Sequence, residues 1–85
     1  MPRIASFYGI TITMYFGDHN PPHFHALYAG QRARFTLDGQ LLSGDLPRRA
    51  RRLVRTWAQL HPDELAGCWE RARNHALPGT IEPLP

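Results

Sequence analysis

Eighty-five residues with one cysteine, no lysine and a formal net charge of +3 describe a single small domain. A chain of this size buries only about 60–65% of the surface its unfolded form exposes, which leaves little room for a deep internal pocket. Hydrophobic residues at 42% and charged residues at 20% set it among globular rather than disordered chains. Cys68 alone excludes an internal disulfide framework and a cysteine-based zinc site, and it fits a reducing compartment, so the expected location is the cytoplasm. No apolar run approaches the roughly 18–20 residues that span a bilayer, and the N-terminus lacks a signal-peptide pattern. All ten basic residues are arginine, and they are unevenly placed: residues 1–45 balance three Arg against three Asp, while residues 46–85 carry seven Arg against four acids. Five of the seven, Arg48, Arg49, Arg51, Arg52 and Arg55, fall within eight positions that contain no acid.

Residues 3–8 form a candidate first strand. From Ile10 to Phe16 the chain alternates, with Ile10, Ile12, Met14 and Phe16 on one face and Thr11, Thr13 and Tyr15 on the other, the pattern of a half-buried strand. Gly17-Asp18-His19-Asn20-Pro21-Pro22 then breaks it, because the prolines remove two backbone donors and Gly, Asp and Asn favour a turn. Alternation resumes over His23–Tyr28 and again over Gln31–Asp38, separated by Ala29-Gly30. With Ala29-Gly30 as the hairpin loop, Phe24 opposes Phe35 and Ala26 opposes Ala33 on an apolar face. On the other face His23 opposes Thr36, His25 opposes Arg34 and Leu27 opposes Arg32. A slip of one residue would mix the two faces, so the pattern selects this register. Alanine at a position that needs positive φ argues for a looser loop. Asp38-Gly39 and Ser43-Gly44 mark the exit from the last strand.

The second half changes to helical spacing. Asp45 is placed to cap a helix with Pro47 in its first turn, and Leu46, Ala50, Leu53, Val54, Trp57 and Leu60 form its apolar stripe. Arg48, Arg51, Arg52 and Arg55 centre roughly opposite that stripe. His61-Pro62-Asp63-Glu64 starts a second helix with acids in its first turn, where the macrodipole favours them. Its apolar face is Leu65, Cys68, Trp69, Ala72 and Ala76, and Pro78-Gly79 ends it. The expectation is an α+β domain over residues 1–85. An antiparallel meander of three to four strands occupies residues 3–38, two helices at 45–77 pack on one face, and a proline-rich tail follows at 78–85.

The densest chemistry lies in Asp18-His19-Asn20-Pro21-Pro22-His23-Phe24-His25, where three of the five histidines fall within seven positions. His23 and His25 project from one face of a strand with Cα atoms about 6.5–7 Å apart. Two imidazoles so spaced can converge on one ion, with His19 or Asp18 reaching in from the turn. Such a set would make an open site for zinc, manganese or iron. The same face carries Thr11, Thr13, Tyr15, Arg32, Arg34 and Thr36, equipment for an anionic partner such as phosphate. Without metal, His23 and His25 with Arg34 and Tyr15 would supply the acid, base and anion support of RNA cleavage. Arg48, Arg51, Arg52 and Arg55 form a second basic surface that suits nucleic-acid phosphates or an acidic protein. Trp57, Trp69 and Cys68 sit inside apolar stripes and are expected in the core.

Ile4-Ala5-Ser6-Phe7-Tyr8-Gly9-Ile10, the Asp18–His25 string, Leu42-Ser43-Gly44-Asp45-Leu46-Pro47, and Trp57-Ala58-Gln59-Leu60-His61 with Glu64-Leu65, Trp69 and the closing Ile81-Glu82-Pro83-Leu84 together resemble a family of short bacterial proteins. That family is known only as a domain of unknown function, number 4160. The resemblance implies one half of a toxin–antitoxin-like pair with a second small protein encoded nearby, and it carries no catalytic assignment. The first expectation is therefore a cytoplasmic binding protein that contacts a partner protein, with RNA or DNA as a further class of partner. Arg32, Arg34, Arg48, Arg51, Arg52 and Arg55 are its contact residues. The alternative is a small hydrolase or ribonuclease-like enzyme. In it, His23 and His25, with Asp18 and His19, hold a divalent metal, or His23 and His25 act as acid and base.

Overall fold

The computed structural model describes residues 2–85. Five strands, β1 (Arg3–Phe7), β2 (Ile10–Thr13), β3 (His23–Tyr28), β4 (Gln31–Thr36) and β5 (Leu41–Gly44), pair in chain order as an antiparallel meander. Two helices follow, α1 (Arg48–Leu60) and α2 (Pro62–Arg73). The β3–β4 register is the expected one: Phe24 pairs with Phe35, Ala26 with Ala33, His25 with Arg34 and His23 with Thr36. Its loop is the tight two-residue turn, with Ala29 at φ 49° and Gly30 at φ 80°. Tyr8-Gly9 joins β1 to β2 with φ of 49° and 80°. Two successive positive φ values give a turn whose twist matches the flanking strands. Alanine accepts that conformation here, and the looser loop is not needed.

The sheet has one strand more than the upper expectation. β5 carries no alternation, and a register shift between Arg34 and Phe35 separates its ladder from a simple continuation of the hairpin. A second shift, between Arg3 and Ala5 in β1, lets the consecutive Ile4 and Ala5 both turn inward, at 0% and 7% exposure. β2 ends at Thr13, before the expected run is complete. Met14 is still buried, but Phe16 is 41% exposed because the chain has already entered the turn.

The core lies between the sheet and the helices. Phe24 stacks on Phe35 at 5.7 Å, and Trp57 of α1 stands edge-on to Phe24 at 5.7 Å and against Phe7 at 5.4 Å. Ala50, Val54, Trp57 and Ala58 form the buried face of α1, and Leu65, Cys68, Trp69 and Ala72 that of α2. Both tryptophans and Cys68 are core residues, as the spacing predicts. Leu60, at 58% exposure, and Ala76 instead face solvent, since each lies at or beyond the last turn of its helix. Asp45 does not cap α1: its carboxylate accepts from the neighbouring Leu46 N–H at 2.9 Å, and Pro47 stands at the N-cap without a side-chain cap.

The proline-rich tail is fastened along β1. Ile81 N–H donates to the Ile4 carbonyl at 2.8 Å, and Ile81 is 5% exposed. Trp57 Nε1–H donates to Glu82 O at 2.9 Å, and Tyr8 Oη–H to Pro85 O at 2.5 Å. Arg71 grips Pro78 O through Nε at 2.9 Å and through a second guanidinium nitrogen at 2.7 Å. Neither helix is long and apolar enough to cross a membrane.

Candidate functional site

The turn between β2 and β3 is tied to α2, since Gly17 N–H donates to the Ala72 carbonyl at 2.9 Å. That anchor sets Asp18 beside the start of β3. One carboxylate oxygen, Oδ1, accepts the His19 N–H at 2.9 Å; the other, Oδ2, lies 2.9 Å from His23 Nε2 and 3.5 Å from His25 Nε2. One ligand atom each from Asp18, His23 and His25 lies within 4.8 Å of the others. The convergent set therefore draws on Asp18 rather than His19, whose side chain is exposed and whose contribution is a backbone hydrogen bond.

His23 is the most constrained member. Its Nδ1 stands 2.7 Å from the Pro21 carbonyl; a carbonyl only accepts, so Nδ1 carries the hydrogen and Nε2 of the neutral ring presents a lone pair. Trp69 of α2 packs against the imidazole with centroids 5.4 Å apart, and the residue is only 3% exposed. The expectation of an open sheet face fails at this end: Thr13 is 4% exposed, and Tyr15 and Thr36 are half-buried.

His23 Nε2 lies 2.9 Å from Asp18 Oδ2, close enough for an ion pair when the ring is protonated, and it is buried without an aligned hydrogen-bond partner. Such an approach also suits two donors that share an ion lying off the line between them. Metal–ligand bonds of ~2.1 Å at tetrahedral or right angles separate neighbouring donors by ~3.0–3.4 Å. Two more orphaned buried atoms belong to residues beside the cluster: Thr13 Oγ1, across the ladder from His25, and Trp69 Nε1, on the residue packed against His23.

The electrostatics favour ligand forms of these groups. Burial pulls the Asp18 carboxyl upward, but the His19 N–H and the adjoining imidazoles outweigh it and hold the group below its ordinary value. Burial holds the His25 imidazole below its ordinary value, opposed by the hydrogen bond to Asp18. Near neutral pH these shifts leave a carboxylate beside an uncharged His25 ring. The His23 and His25 rings lie 5.1 Å apart, and Tyr15 meets His25 edge-on at 4.3 Å.

Next to the cluster, His25, Arg32, Arg34, Ser43 and Gly44 line a shallow pocket of ≈ 190 Å³. Arg34 Nε–H donates to Ser43 Oγ at 2.7 Å, which orients its guanidinium. Arg48, Arg51, Arg52 and Arg55 gather elsewhere, around a separate cleft. Of the remaining histidines, His61 Nδ1 lies 2.6 Å from Glu64 Oε1 at the helix junction, and His75, at φ 61°, bonds through its N–H to the Ala72 carbonyl and lays its imidazole against Gly17, next to Asp18. Sequence reasoning missed Trp69, Ser43 and the Pro21 carbonyl as parts of the site. Trp69 had no signal beyond its apolar stripe, and a backbone carbonyl has none.

No curated protein and no solved structure matches the chain. Residues 9–70, which include β2 to β5, the histidine cluster and α1, match the family described as Domain of unknown function (DUF4160), and the chain belongs to that family.

Proposed function

We propose that this domain is a small binding protein organised around a divalent metal ion held by Asp18 Oδ2, His23 Nε2 and His25 Nε2. The observation that carries this reading is His23 Nε2: a buried ring nitrogen, fixed in direction by the Pro21 carbonyl on the far side of the ring and set 2.9 Å from a carboxylate oxygen without an aligned hydrogen bond. A carbonyl on the far ring nitrogen is the usual outer partner of a metal-bound histidine. Two histidines and one carboxylate suit zinc, manganese or iron and leave further positions open. Arg32 and Arg34 beside His25 would hold a phosphate or carboxylate presented there. When bound, the ion would supply Lewis acidity toward such a ligand. The family resemblance supports a second small protein encoded nearby as the source of that ligand, in a toxin–antitoxin-like pair, with RNA or DNA the other source.

A metal-free ribonuclease would need both imidazoles at the substrate. His23 is buried with Nδ1 committed, so only His25 lines the open pocket; the geometry supports the metal form better. Elemental analysis and calorimetric titration of protein purified without a histidine tag test the proposal. We expect stoichiometric zinc, manganese or iron(II), lost in Asp18→Asn and in His25→Gln. Absence of stoichiometric metal, or affinity unchanged in those variants, overturns it. Cleavage of labelled RNA by the loaded protein but not by Asp18→Asn would assign the centre a hydrolytic use.

A further inference from the structure

The two edges of the sheet are finished differently. At β1 the tail covers the outer side, through the Ile81–Ile4 backbone bond and the residues that follow it. At β5 no strand lies outside, and among the described residues no backbone group of Leu41–Gly44 bonds beyond its own ladder. Leu41 and Leu42, adjacent and therefore on opposite faces of the strand, are each 40% exposed. An edge with unpaired backbone groups and exposed apolar side chains is a template for another strand.

Beside that edge lies a cleft of ≈ 510 Å³ lined by Arg48, Arg51, Arg52 and Arg55 of α1, with Leu41 and Phe35 opposite. The arginines recur at helical spacing and so share one side of α1. The turn beyond β4 presses directly on the helix, because a Cβ at Gly39 would come within 2.8 Å of the Arg55 Cα. Among the described residues only Arg51 of the four has an acidic neighbour, Asp45 at 3.6 Å, and no acid lines the cleft.

We infer that β5 and this cleft form a docking site for an extended acidic segment of a partner protein, which adds a sixth strand at the β5 edge and sets its carboxylates against the arginines. Backbone pairing supplies affinity in this mode, and the side chains beside the edge supply specificity. Guanidinium forks match carboxylates bidentately. The features do not fit a nucleic-acid strand as well: the cleft's one aromatic, Phe35, is 1% exposed and cannot stack a base. A second copy of this chain, paired edge to edge, would bring arginine against arginine in a molecule of net charge +3. The inference names the chemistry of the partner proposed above and does not require the metal.

The test is calorimetric titration of the whole chain with a short peptide that alternates glutamate and valine, at low salt. Running the same titration on Asp18→Asn protein separates a failed metal centre from a failed docking site. The peptide should bind both proteins, and the affinity should fall about tenfold in Arg52→Glu/Arg55→Glu, with Arg52→Gln/Arg55→Gln intermediate. Thermal melts confirm that the variants fold. N-methylation of alternate peptide amides should abolish binding, because a methylated amide cannot pair with the edge. Absence of binding, affinity unchanged by the arginine variants, or full binding by the methylated peptide overturns the inference. So would tighter binding of single-stranded RNA than of the peptide, or a dimer of the free chain on light scattering.

Discussion

The histidine cluster and the arginine cleft are built on opposite plans. His23 is held from two sides, by the Pro21 carbonyl and by Trp69, so the Nε2 that meets Asp18 has a fixed direction. The cleft arginines stand on a regular helix surface with one loose ion pair among them. The first region positions atoms; the second concentrates charge. The +3 of the whole chain reports the second and is silent about the first, because the half holding the cluster is balanced in Arg and Asp.

Substitutions can break that contrast at several depths. The largest effect is expected for His23→Ala, which should weaken metal binding by more than ~100-fold, since loss of an outer partner alone costs 10–100-fold; calorimetry reads it. Next, zinc at about a hundredfold excess over its dissociation constant should stabilise the fold by ~2.7 kcal/mol, seen as a rise in melting temperature that Asp18→Asn removes. Gly39→Ala should cost about 1–3 kcal/mol in denaturant unfolding: its φ of +90° disfavours a side chain, and the new methyl would meet the backbone of α1. If the arginines supply charge rather than structure, Arg52→Gln/Arg55→Gln should move stability by no more than ~0.5 kcal/mol.

Cys68 sharpens the contrast from a third position. Burial pushes its thiol up, against the opposing charge of Arg71, so a nearby guanidinium does not by itself make a reactive cysteine. Alkylation of the native protein at neutral pH should follow the rate of unfolding. The folded state keeps this proton more tightly than the unfolded chain does. Its contribution to stability is therefore intact below the ordinary thiol pKa of 9.0 and erodes as pH rises beyond it.

Legibility in the sequence tracked how local the determining contacts are. Phe24, Ala26, Ala33 and Phe35 set the β3–β4 register because the hairpin is closed by two residues, and any slip would expose that face. β5 escaped notice because Leu41-Leu42-Ser43-Gly44 has no period, and its pairing depends on a register shift in β4. The candidate site divided in the same way. His23 and His25 are visible as candidate ligands from strand spacing, and Asp18 from its neighbouring turn. The burial of His23 depends on Trp69, far along the chain, and its fixed tautomer on a carbonyl that no residue pattern reveals.

The strap of residues 78–85 along β1 also bears on the order in which the molecule can be made. Ile4 and Tyr8 leave the ribosome early, yet their partners Ile81 and Pro85 emerge after both helices. Trp57 likewise waits for the Glu82 carbonyl. While the chain is growing, the outer edge of β1 stays open and the central tryptophan lacks its acceptor. Closure of the fold is thus deferred until residues 81–85 have emerged, and a nascent chain stalled before that point would present an uncovered strand to its surroundings.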